Sequence, residues 1–143
     1  MVDAVSRETV NDFHAALVSR DASRIVSFVA DEVDWLMIGP VDVMPFFGQR
    51  HSKAEVYDIF ARQIPDVLEV TGYAQEYLLV DADLASSLDR LTATQRRTGR
   101  TISYRLANFM RFRDGKIVAL VSLVDTLDAA EQLLGRQIDL SVS

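Results

Sequence analysis

Asp125 closes the apolar run 117–124, in which Ser122 is the single polar residue. A carboxylate where a buried strand leaves the core is a candidate acid or base, and the same position suits a helix N-cap. Asp89 is a second acid, inside the run 85–95. Two carboxylates facing one apolar pocket repel, and desolvation raises the pKa of at least one. One could then act as acid and the other as base near neutral pH. Strand parity puts Ser87 with Asp89, Asn108 with Tyr104, and Trp35 with Met37. Faces of that kind would line an apolar pocket with few polar groups, the usual form of a small-molecule site. Asn108 and Tyr104 are its hydrogen-bond donors. Structural readings stand beside these: Asp125 as a cap only, Asp89 paired with a surface arginine, Asn108 as a satisfied core amide. Phe46-Phe47 lies in a loop too apolar to be freely solvated and is the best candidate for a cavity lid. His14 and His51 are far apart with no ligand motif nearby, so neither metal nor other cofactor is expected.

Positioning these groups requires helices first and strands last. Ser6 caps a helix carrying Val10, Phe13 and Leu17, ended by Asp21-Ala22-Ser23. A short helix over 23–29 follows, then a strand over 33–38 stopped by Gly39-Pro40. Residues 41–49 read as an irregular apolar loop. Ser52 with Glu55 is a capping box, opening a helix that Pro65 ends. Four strands follow: 67–80, bulged at Gly72, then 85–95, 101–112 and 117–124. Asp114-Gly115 is a strong hairpin signal between the last two. A helix over 127–134 is capped by Asp125 or Thr126 and stopped by Gly135. This order gives an α+β fold in which a curved sheet wraps the helices and encloses a pocket, as one domain over 1–143.

Composition narrows the classes. A net charge of −6 disfavours nucleic acid, whose phosphates need clustered Lys and Arg. No apolar run reaches membrane-spanning length. The absence of Cys excludes disulfide and thiolate chemistry and fits a reducing cytoplasm; the first residues read as no signal peptide, and none is expected.

Several motifs carry a family likeness. They are 13–17 followed by Asp21, residues 28–33, Gly48 before the third helix, and 112–117 with Asp125. Over nearly its whole length the chain resembles the nuclear transport factor 2-like superfamily. Within it, the likeness is to SnoaL-like polyketide cyclases, ketosteroid isomerases and limonene epoxide hydrolase. The resemblance implies a cone: a bent, mainly antiparallel sheet around helices, with a deep apolar cavity and often a homodimer. Where the isomerases use a tyrosine on the first helix this chain has Phe13. Gly39 stands at their base aspartate, and Asn108 at their second aspartate. The two acids of the epoxide hydrolase match Asp89 and Asp125, and its bridging arginine falls at Ser87, with Arg90 or Arg105 as substitutes. Arg90 leaves the strand on the opposite face from Asp89.

The expectation is a cofactor-free acid–base enzyme acting on a small apolar carbonyl or epoxide. Asp125 is the acid or base and Asp89 its partner; Asn108, Tyr104, Trp35, Ser87, Phe13, Met37 and Phe46 contact the substrate. The alternatives are a ligand-binding module without catalysis and a dimerisation module that uses Arg105, Ala107, Phe109 and Arg111 on the outer sheet face.

Overall fold

A computed structural model describes residues 4–139 and 141. Helix α1 (Arg7–Ser19) starts where Ser6 Oγ accepts the amide of Thr9 at 3.0 Å, and it buries Val10, Phe13 and Ala16. A short α2 (Ala22–Val26) is capped by Asp21. Strand β1 (Val29–Ile38) leads through the 39–47 loop to β2 (Gly48–Ser52). Helix α3 (Lys53–Asp58) runs through a π-helical turn at Ile59–Gln63 into α4 (Ile64–Val67). Then come β3 (Leu68–Asp81), β4 (Leu84–Gln95), β5 (Thr101–Arg113) and β6 (Lys116–Val124), and last α5 (Thr126–Leu134). The fold is mixed α+β: one curved, unclosed six-stranded sheet in the order β2-β1-β6-β5-β4-β3, antiparallel except for β1 beside β6. α1 packs on β3, α3 on β1 and β2, and α5 on β5.

The last hairpin forms as its sequence requires. Asp114 and Gly115 both have positive φ (52° and 73°), the condition for a two-residue turn whose twist matches the strands, and Arg113 pairs with Lys116. Alternation along β5 buries Ile102, Tyr104, Leu106, Asn108, Met110 and Phe112 on the helix side. Arg105, Phe109 and Arg111 are on the outer side, with Tyr77 and Leu79 of β3 also exposed. Arg105 and Arg111 there form ion pairs with Glu76 and Asp83.

Three expectations need correction. β1 begins at Val29, not Val33, and takes over the end of the predicted second helix. Ala30, Asp31 and Glu32 have little strand propensity of their own, and pairing of Val29 with Ile117 holds this end in the sheet. The predicted 41–49 loop contains the start of β2, a strand of polar residues (Gly48-Gln49-Arg50-His51-Ser52) that pairs with β1 at the sheet edge. His51 is therefore an exposed strand residue. Pro65 does not end the third helix: it lies in the first turn of α4, directly after the π-helical turn. The expected bulge near Gly72 is present, and a second follows between Gln75 and Tyr77. Such bulges bend a strand and increase its twist.

The 39–47 loop is part of the core. Met44, Phe46 and Phe47 are buried, and the Phe46 and Phe47 rings lie 4.8 Å apart. Phe47 presses on Gly39 so closely that a Cβ there would come within 2.6 Å of its ring. A buried ring cannot swing clear without moving its neighbours. Gly39→Ala should therefore cost about 1–3 kcal/mol in chemical denaturation; unchanged stability would contradict this packing.

Candidate functional site

Asp89 lies in the middle of β4 on the helix side of the sheet and is 1% exposed. One of its oxygens, Oδ2, collects the donors. Tyr73 Oη donates to it at 2.6 Å, Asn108 Nδ2 at 2.8 Å and Ser87 Oγ at 3.2 Å. The register explains the convergence. Asn108 pairs with Ser87 across β4–β5, and Tyr73 sits opposite Leu91, two residues along from Asp89. That diagonal lies within reach of an aromatic side chain. Oδ1 has no hydrogen-bond partner among the described residues. No salt bridge reaches this carboxyl among them; the nearest cationic influence is His14 of α1, whose ring centre is 5.5 Å from that of Tyr73.

Burial pushes the Asp89 pKa up, against the lowering effects of the Tyr73 and Ser87 hydrogen bonds, the His14 charge and Asn108. Burial, reinforced by the Asp89 charge, holds Tyr73 well above the usual phenol range, and burial also raises Tyr104. A carboxyl whose pKa burial raises, hydrogen-bonded to a phenol that burial keeps protonated, is a candidate pair for proton exchange with a ligand.

Two cavities meet at this group. The larger, about 70 Å³, is walled by Phe13, Trp35, Met37, Phe46, Tyr104 and Asn108 among others, with Tyr73 also facing it. The smaller, about 10 Å³, is lined by Asp89, Ser87 and His14 and shares Phe13 and Asn108 with the first. An outer pocket of about 330 Å³ shares Leu17, Phe60 and Tyr73 with the larger cavity and adds Arg20, Glu69 and Arg96.

The structure thus brings together Asp89, Ser87 and Asn108, and sets Tyr104, Trp35, Phe13, Met37 and Phe46 around the adjoining cavity. Asp125 is elsewhere. It is exposed, lines neither cavity, and caps α5 by accepting the Asp128 amide at 3.1 Å. β6 reaches the cavity wall through Ser122 and Val124, and the chain turns away one residue later. Arg90 and Arg105 do not replace the bridging arginine: Arg105 pairs with Glu76 at 3.0 Å and Arg90 approaches the same carboxylate at 3.8 Å. By residue type alone Tyr73 is an ordinary core aromatic. Its role depends on the bulge that resets parity in β3, which Gly72 hinted at. Among the described residues no three His, Asp or Glu side chains gather as a metal site, and no helix is long and apolar enough to cross a membrane.

Residues 10–120 match the family model of the SnoaL-like domain. No curated protein matches the chain. Among solved structures, a provisionally assigned isomerase from Rhodopseudomonas palustris is similar at 37% identity and TM-score 0.77, over 89% of this chain and 93% of that one. A Catenulispora acidiphila protein with a ketosteroid isomerase-like fold, in complex with trimethylamine, is 12% identical with TM-score 0.76, over 96% and 100% of the two chains. TerC, co-crystallised with polyporic acid, is 22% identical with TM-score 0.76, over 89% and 96%. These last two likenesses concern the fold.

The raised Asp89 pKa has a consequence for stability. The folded state holds the Asp89 proton more tightly than the unfolded chain does, so its contribution is full below the unfolded Asp value of about 3.9 and is lost as pH rises through the folded pKa. Stability measured against pH should show this decline in the wild type relative to Asp89→Asn. Parallel curves for the two proteins would show that Asp89 is not shifted upward.

Proposed function

Because the chain belongs to the SnoaL-like domain family, we propose that it is a cytoplasmic, single-domain, cofactor-free acid–base enzyme. Its substrate is a small apolar molecule with a carbonyl or epoxide oxygen, which it isomerises, cyclises or hydrates in the internal cavity. The carrying observation is Asp89, buried without a cationic partner and bonded to Tyr73 and Asn108, both of which line that cavity. The 37% identity to a provisionally assigned isomerase supports the reaction class. Bound polyporic acid and trimethylamine in proteins of this fold support a small-molecule ligand.

The proton path follows from the hydrogen bonds. With Asp89 protonated, the hydrogen bond to Tyr73 reverses: Asp89 Oδ2–H donates to Tyr73 Oη, and as that proton crosses to Tyr73 the phenol gives its own to the substrate oxygen. Asn108 keeps one amide hydrogen on Asp89 and has a second for the same substrate oxygen. Asp89 is left as carboxylate and recovers a proton through Tyr73 from the carbon or the attacking oxygen of the intermediate, which restores the starting state. Proton transfer of this kind contributes about 10²–10⁴-fold. Asp89 takes the leading role that the sequence alone gave to Asp125, and Asp125 serves the fold as a cap.

A panel of cyclic enones and small epoxides, followed by mass spectrometry, tests this. Asp89→Asn should lower turnover of any converted compound about 100-fold or more. Asp125→Ala should lower stability by about 1 kcal/mol and leave turnover per folded molecule unchanged. Full activity in Asp89→Asn would overturn the mechanism.

A second reading, a binding module without turnover, draws on Phe13 and Gly39, which supply neither hydroxyl nor carboxylate. It expects tight binding with no product after long incubation. In either case the chain pairs with a second copy through the outer sheet face. The arginines of that face are satisfied within the chain while Phe109, Tyr77 and Leu79 stay exposed. Sedimentation should give a dimer that Phe109→Glu dissociates; a monomeric wild type at every concentration would refute the pairing.

A further inference from the structure

The cavity holds two more buried polar atoms that the Asp89 group does not use. Trp35 and Ser122 are each 2% exposed, both line the larger cavity, and neither Trp35 Nε1 nor Ser122 Oγ has a hydrogen-bond partner among the described residues. Leaving such a group unpaired is destabilising, and native structures rarely leave two on one cavity wall without a use for them. The sheet register sets them on one face of neighbouring strands, diagonal to each other. β1 and β6 are parallel neighbours, with Trp35 opposite Leu120 and Met37 opposite Ser122. Ser122 in turn pairs with Asn108 on β5, and Asn108 with Ser87 on β4. Ser87, Asn108 and Ser122 therefore form a row across an otherwise apolar wall, with Asp89 two residues along from one end of it and Trp35 diagonal to the other.

We propose that Trp35 Nε1 and Ser122 Oγ are a second polar subsite, which receives a hydrogen-bond-accepting oxygen of the bound molecule. An indole N–H only donates, so the group it meets must be an acceptor and cannot be an ammonium. The inference rests on the reading of this cavity as the ligand site and sharpens it. The molecule carries two oxygens: one meets Tyr73 and Asn108, and the other meets Trp35 and Ser122. Adjacent strands are about 4.8 Å apart, so the two oxygens are separated by one to two strand spacings, roughly 5–10 Å. An apolar ring with oxygens on opposite edges, such as a cyclic dione or hydroxyketone, has this form.

Trp35 is the single tryptophan of the chain, so its indole N–H gives one unambiguous signal in ¹H–¹⁵N spectra. The probes are cyclohexane-1,4-dione, cyclohexanone and methylcyclohexane, with the Met37 methyl signal reporting occupancy of the cavity. The dione should move the Trp35 indole proton downfield and bind about 5-fold more tightly than cyclohexanone. Ser122→Ala should weaken the dione about 5-fold and leave methylcyclohexane unchanged, and Trp35→Phe should do the same through the other donor. If dione and monoketone bind equally, the indole signal stays in place and neither variant discriminates, the subsite is wrong while the cavity remains a ligand site. If no probe perturbs Met37 or Trp35, the ligand-site reading fails as well.

Discussion

Much of this structure is arranged around a carboxyl group buried without a salt bridge among the described residues. An ionised carboxylate in an apolar interior is costly unless paired and hydrogen-bonded. Asp89 is offered hydrogen bonds by Tyr73, Ser87 and Asn108, all on Oδ2, and no guanidinium or ammonium. Neutral donors soften the desolvation without cancelling it, and the net shift of the Asp89 pKa is upward. A salt bridge would have pulled it the other way.

The sheet supplies this environment through register and irregularity. Three neighbouring strands bring Tyr73, Asp89 with Ser87, and Asn108 together, and the bulges in β3 turn Tyr73 inward. The far wall depends on the parallel pairing of β1 with β6, which places Trp35 and Ser122 on the same face. The 39–47 loop closes the cavity by packing Phe47 on Gly39, at the position where the resemblance to ketosteroid isomerases puts their base. The ring fills space that a carboxylate there would need, and the buried acid of this chain is found on β4 instead.

The elements with strong local signals were legible in sequence. Asp114-Gly115, the Ser52–Glu55 capping box, the Ser6 cap and the α5 cap each depend on a few adjacent residues, and each forms as read. Parity correctly put Tyr104 and Asn108 on one inner face. Features set by distant partners were not legible. The start of β1 and all of β2 lack apolar alternation and exist because neighbouring strands pair with them. In the site, Asp89 with Asn108 and Ser87 could be anticipated from parity. Tyr73 could not, because one extra residue in β3 reverses its side. Asp125 had the same sequence signal whether it faced the cavity or capped α5, and only the path of the chain beyond Val124 decides between them.

The central claim is that Asp89 is held toward its neutral form beside a ligand cavity. Carboxyl ¹³C NMR of selectively labelled protein, titrated with pH and assigned through Asp89→Asn, measures this directly. The account expects the Asp89 signal to titrate clearly above the ordinary aspartate value of about 3.9. Titration at or below that value would show a stable buried anion, and with it the proposed proton donor would be lost.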